Sequence, residues 1–162
     1  MDSFGHINNV VFLRYLEEAR IDFLWRLARE AAEETTVSDG DPGPGASGEG
    51  GTTPVAGRPG VFDPEVPFSG TTVVARHEID YLRPLVHRHA PIDIELWVAK
   101  IGAAATTIAY EMIDGSAVHA RARTVIVPYD LEKERPRRLS AVERSFLERY
   151  FDDATDNAAA VR

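Results

Sequence analysis

The chain contains no cysteine. That absence excludes disulfides, thiolate metal sites and a cysteine nucleophile together, and it is compatible with a cytoplasmic address. Long apolar runs are also missing. None approaches the roughly 18–20 residues that a membrane helix needs, so no membrane span is expected. Read from Met1, no charged-then-apolar leader opens the sequence, and no secretory signal is expected. Positive charge is scarce: 18 Lys and Arg stand against 26 Asp and Glu, a net charge of −8. A general nucleic-acid binder is usually basic or carries a basic stripe, so no nucleic-acid partner is expected. The one dense basic stretch, Lys133 to Arg138, is broken by Glu134 and Pro136 and reads as a solvated linker.

What remains is an ordinary globular composition. With 162 residues, 44% of them hydrophobic, the chain can bury one real core, and a single domain over residues 1–150 is expected. Residues 8–33 read as one long helix, because Leu13, Leu16, Phe23, Leu24, Leu27 and Ala31 recur at three- and four-residue spacing. Val10, Phe12, Tyr15, Ala19 and Trp25 widen its apolar surface beyond one stripe, as in a helix that other elements wrap. Residues 35–68 are rich in Gly and Pro and read as a flexible insert, with Phe62, Val66 and Phe68 placed to dock back onto the fold.

Four segments then alternate with a period of two: Thr71 to Leu82, Ile92 to Ile101, Ala105 to Ile113 and Ala117 to Val127. Asp114-Gly115 marks the turn between the last two. The spacing fits an antiparallel meander. A last helix is predicted from Ser140, where Ser140 and Glu143 form an S-x-x-E capping box ahead of Val142, Phe146 and Tyr150. The tail, residues 151–162, reads as disordered. A long apolar helix followed by four strands predicts an α+β fold in which an antiparallel sheet curls around the helix.

One segment carries chemistry. Asp2-Ser3-Phe4-Gly5-His6-Ile7-Asn8-Asn9 runs directly into the long helix. A helix start offers unpaired backbone N–H groups and partial positive charge, which can cap a side chain, bind an anion or hold a developing oxyanion. A carboxylate beside such donors is what acyl transfer needs, either to attack the carbonyl or to activate a water. Taken alone, the segment equally fits a plain helix start, with Asn8 or Asn9 as N-cap, Gly5 in a turn and Asp2 ahead of the helix.

The pattern Asp2-x-x-Gly5-His6-x-Asn8-Asn9, followed by Tyr15, Glu17, Glu18, Ala19 and Arg20, resembles the 4-hydroxybenzoyl-CoA thioesterase-like family of hotdog-fold proteins. His77 to Leu85 resembles that family's second strand, and Lys100-Ile101-Gly102 its strand-end turn. The resemblance implies an acyl-CoA thioesterase that releases free acid and coenzyme A without a metal or other cofactor. It makes Asp2 the catalytic carboxylate and the backbone N–H near Asn9 the donor that polarises the thioester carbonyl. Gly5, His6, Asn8 and Tyr15 would shape the substrate pocket. Arg83, Arg88, Lys100, Arg121 and Arg123 are the cations available to the coenzyme A phosphates, Arg83 first among them. Glu17 and Arg20, three apart on the helix, are expected to pair with each other or with neighbours.

The resemblance also implies a homodimer or homotetramer whose sheets join, with Glu78 the strand carboxylate nearest to consideration in a partner's site, although an outward-facing position is the expected one. Three departures accompany it. The family's strand before the Asp is replaced by Met1 alone, so the first strand is expected to be missing. The turn after the second strand reads Val86-His87-Arg88-His89-Ala90-Pro91, and Ala103, Ala104 and Ala105 follow the Lys-Ile-Gly turn where a small polar residue often stands. His77, His87 and His89 have no neighbouring carboxylates at ligand spacing, so no metal is expected. The alternative reading is a non-catalytic acyl-CoA-binding or regulatory hotdog module.

Overall fold

The structure is a computed structural model that describes residues 7–38, 68, 70–86 and 90–152. The long helix forms as predicted and runs further. Its first section, α1, spans Asn9–Ile21; a π-helical segment follows over Asp22–Leu27, and α2 continues over Ala28–Ser38. The predicted end at residue 33 is therefore five residues short. The π segment was not foreseen. A π turn inserts an extra residue, which here keeps Phe23 and Leu24 buried while Trp25 and Arg26 face outward. Phe23 is held by rings from the far end of the chain, Phe146 at 5.2 Å and Tyr150 at 5.0 Å between centroids.

The strands are β1 (Thr71–Tyr81), β2 (Asp93–Ile101), β3 (Thr106–Asp114), β4 (Ala117–Asp130) and a two-residue β5 (Arg135–Pro136). All pair antiparallel, in the order β1-β4-β3-β2, with β5 beside the end of β4. The expected meander holds for β2, β3 and β4 only. β1 pairs with β4 rather than with β2, so the connector after β1 must carry the chain to the opposite edge. On its way it passes the start of α1, where the Ile7 N–H donates to the Leu85 carbonyl at 2.8 Å. This crossing, which period-two alternation cannot reveal, is what builds the walls of the site below.

One face of the sheet carries the row Ile79, Ala122, Tyr110 and Leu96, and beside it the row His77, Thr124, Ile108 and Val98. Leu16, Phe12, Leu24 and Ala28 of the helix complete the core against them. Phe68, at the end of the Gly/Pro-rich stretch, is 1% exposed and joins this core, as predicted; Phe62 and Val66 lie outside the described residues. Two glycines are required where they stand. Gly115 has φ +64° in the β3–β4 turn, and a Cβ on Gly102 would come within 2.9 Å of the Ala105 carbonyl oxygen.

The last helix, α3 (Ala141–Glu148), begins with the predicted capping box, in which the Glu143 N–H donates to Ser140 Oγ and the Ser140 N–H to Glu143 Oε2. The stretch from Lys133 to Arg138 is not simply solvated. Arg137 reaches the buried Glu143 with two bonds of 2.7 and 2.8 Å, because one carboxylate at the helix start can serve both the cap and the guanidinium. Beyond α3 the chain straps the edge of β2. The Val98 N–H donates to the Tyr150 carbonyl at 2.9 Å, and the Asp152 N–H to the Val98 carbonyl at 3.0 Å.

Candidate active site

The start of α1 is where the sequence predicts chemistry. Asn8 adopts an extended backbone and is the N-cap: its Oδ1 accepts from the Val10 N–H at 3.0 Å. Its carbonyl accepts from the Val11 N–H at 2.9 Å. These two bonds satisfy the second and third N–H groups of the helix. The first, on Asn9, has no acceptor among the described residues, and no acidic side chain occupies the first turn. A single exposed donor at the positive end of a helix dipole is the arrangement that a carbonyl gaining negative charge requires. Asn8 thus caps the helix, and the Asn9 N–H is the donor of the first turn with no acceptor among the described residues. Asp2, Gly5 and His6 lie outside the described residues.

Beside this helix start lies a groove of about 390 Å³, lined by Ile7, Tyr15, Ala19, Val86, Ile92 and Ile94, with Glu18, Ala90 and Pro91 completing it. Its volume falls within the usual range for small-molecule sites, and its walls are mainly apolar. One wall is the helix, where Tyr15, Glu18 and Ala19 share a face at three- and four-residue spacing. The other wall is the connector after β1, and the floor is the start of β2. Glu18 stands at the rim, paired with Arg14 at 3.1 Å. Tyr15, predicted from the resemblance, is thus brought to the groove together with Ile7, the residue before the N-cap. Ile92 and Ile94 had been read only as strand residues; their role in the groove depends on where the connector crosses.

Arg83 sits in the same connector, exposed, two residues before Leu85, which holds Ile7. Its own backbone is tied down, since the Leu82 and Arg83 N–H groups both donate to the His119 carbonyl, at 2.9 and 3.1 Å. His119 Nδ1 is 3.0 Å from the Pro84 carbonyl. Arg83 thus belongs to the same end of the molecule as the helix start, although its side chain does not line the groove. Arg121 and Arg123 are elsewhere, on the outer face of the sheet, where Arg121 pairs with Glu111 at 2.7 Å. Glu78 also faces outward, as expected, and is paired with Arg76.

Arg20, expected to pair with Glu17 or with neighbours, is part of a second polar group. Arg20 is only 6% exposed. No ion pair joins it to Glu17 among the described residues; instead its guanidinium lies near Tyr110 and His77 on the inner sheet face. Burial pushes the Tyr110 hydroxyl above its ordinary pKa, and Thr124 and Arg20 oppose that only in part. Burial and the Arg20 charge both push the His77 imidazole below its ordinary value, against a smaller pull from Glu17. His77 Nδ1 is tethered at 2.9 Å to the hydroxyl of Thr124. His77 is therefore held neutral by its surroundings, on the β1 side of the helix and away from the groove. Among the described residues no three His, Asp or Glu side chains assemble a metal-binding group. No helix of the described residues is long and apolar enough to cross a membrane.

Comparison with known proteins agrees with this architecture. Among solved structures, a thioesterase from Thermus thermophilus, determined with coenzyme A and zinc, is 24% identical and superposes with a TM-score of 0.60 over 91% of this chain and 87% of that one. A predicted thioesterase from Bacillus stearothermophilus is 19% identical, with a TM-score of 0.61 over 93% and 87% of the two chains. The probable thioesterase YbaW from Escherichia coli is also 19% identical, with a TM-score of 0.59 over 93% and 90%. These likenesses carry the fold, which is the hotdog fold. No curated protein matches the chain. The profile of the thioesterase-like superfamily matches residues 1–150, nearly the whole sequence, and the chain belongs to that superfamily.

Proposed function

We propose that the protein is an acyl-CoA thioesterase. The observation that carries this reading is an Asn9 N–H with no acceptor among the described residues, two residues after Ile7 of a mainly apolar groove, in a sequence that places Asp2 just upstream. The acyl group lies in the groove and its thioester carbonyl accepts from Asn9. The Asp2 carboxylate attacks the carbonyl carbon or takes a proton from the water that does. The oxyanion collapses, the carbon–sulfur bond breaks, and the coenzyme A thiolate leaves to be protonated. Where Asp2 is the nucleophile, water then hydrolyses the acyl-aspartyl anhydride and restores the carboxylate; by either route the products are one free acid and one coenzyme A thiol. Gly5 and His6 shape the loop around the carbonyl. Arg83, exposed in the connector that forms one wall, meets the coenzyme's phosphates.

The acting form is a homodimer or homotetramer. The eleven residues of β1 are paired only through β4 among the described strands, leaving a long unpaired edge. Val74 and Tyr81 on that strand, with Ile21 and Trp25 on the helix, are exposed apolar residues that a joined sheet would cover. A cysteine-free chain acting on acyl-CoA suits a cytoplasmic address.

The test is free-thiol release from a panel of aliphatic and aromatic acyl-CoA thioesters. Turnover that saturates with substrate is expected, and the preferred thioester names the acyl class. A folded chain that acyl-CoA stabilises against heat, yet that releases no thiol, would overturn the enzyme reading and favour a binding module.

A further inference from the structure

The groove runs along α1. Its lining begins at Ile7, the residue before the N-cap. Along α1 its lining stops at Ala19. The next residue on that face, Phe23, is 3% exposed and packed against Phe146 and Tyr150. The floor is blocked in the same direction. It begins with Ile92 and Ile94, but further along β2 Val98 is fully buried, and its edge is strapped by Tyr150 and Asp152. The aromatic cluster that seats α3 thus lies one helical turn beyond Ala19, the last residue of α1 to line the groove.

We infer that this groove measures acyl-chain length and that Ala19 is the specificity-determining residue at its far end, which makes neutral medium-chain acyl groups the preferred class. The inference rests on the thioesterase reading above. From Asn9 to Ala19 the helix rises about 15 Å, enough for an extended chain of roughly eight to twelve carbons. The methyl group of Ala19 leaves room that any longer side chain would fill. Each methylene excluded from an apolar site costs on the order of tenfold or more in kcat/KM.

The experiment is kcat/KM for butyryl-, hexanoyl-, octanoyl-, decanoyl- and lauroyl-CoA with the wild-type chain, Ala19→Leu and Ala19→Met. Leucine and methionine are both good helix formers, so α1 itself is not disfavoured. Circular dichroism and a melting curve establish that each variant is folded, and methionine is the more compliant of the two should leucine overpack. The wild type is expected to prefer octanoyl- or decanoyl-CoA. In the variants the ratio of decanoyl to butyryl kcat/KM is expected to fall by about tenfold or more, and the optimum to move to shorter chains. A chain-length profile of unchanged shape in a folded variant would overturn the role of Ala19 while leaving the thioesterase reading standing. Absence of turnover on every chain length by the folded wild type would overturn that reading, and the acyl groove with it.

Discussion

Replacing Asp2 by Asn is expected to lower kcat on the preferred acyl-CoA by about a hundredfold or more while leaving the fold unchanged. The amide keeps the size and some hydrogen bonding of the carboxylate but cannot attack a carbonyl or take a proton from water. Asp2 precedes the first helical residue by seven positions, on a segment that ends in the fixed points Ile7 and Asn8. Because the effect is on chemistry, KM should change far less than kcat. Thiol release under saturating substrate, with circular dichroism in parallel, gives the answer. A folded Asp2→Asn variant that retains turnover within a few fold would move the catalytic role to another group.

The largest effect on stability is expected at Glu143. Its carboxylate caps α3, accepts two bonds from Arg137, and is 3% exposed. Glu143→Ala removes two charge-assisted hydrogen bonds from a part-buried guanidinium and deletes half of the capping box. The expected cost is about 3 kcal/mol. For a domain of this size that lowers Tm by roughly 6–12 °C. Burial alone would raise the Glu143 pKa, but the bonds from Arg137 and the Ser140 N–H outweigh it and hold the carboxyl below its ordinary value of 4.5. A depressed carboxyl contributes stability above the unfolded pKa and loses it as pH falls through the folded one. The gap between wild type and Glu143→Ala should therefore be full at neutral pH and shrink below about pH 4.5. A gap that is constant down to the acid transition would show that the charge of Glu143 is not what stabilises α3.

These two sites differ in how visible they are from sequence. Asp2 and Asn9 stand in one continuous pattern, and both the N-cap and the capping box follow from local hydrogen-bonding rules that Asn8, Ser140 and Glu143 obey. The four long strands were legible for the same reason, because alternation is a local property. The contacts that were not legible join residues far apart or reverse a local expectation. Nothing in Thr71 to Tyr81 indicates that β4, rather than β2, lies beside it. Without that pairing, the connector through Leu85 cannot be placed against Ile7, and the groove has no second wall. The π segment has no glycine or proline to announce it; it accompanies the packing of Phe23 against Phe146 and Tyr150, more than a hundred positions later. Arg137 looked like a solvated charge because its partner is six residues on, across the start of a helix. Arg20 was expected to pair with Glu17 or with neighbours; spacing along the helix could not show that it turns toward Tyr110 on the sheet.

The central claim is that the first N–H of α1 holds the thioester carbonyl as it becomes an oxyanion, and one substitution removes that atom alone. Proline is favoured at the first position of a helix, where its missing N–H breaks no intrahelical bond. Asn8 already has φ −67° and ψ 148°, the extended conformation that a residue before proline prefers. Asn9→Pro should therefore fold with a Tm close to that of the wild type. Its kcat for acyl-CoA hydrolysis should fall by about a hundred- to a thousandfold, the usual cost of deleting one oxyanion donor. Asn9→Ala, which changes the side chain and keeps the N–H, should lose much less. A folded Asn9→Pro chain that hydrolyses acyl-CoA at a rate near the wild type's would contradict the account directly, since no Asn9 donor would then be needed.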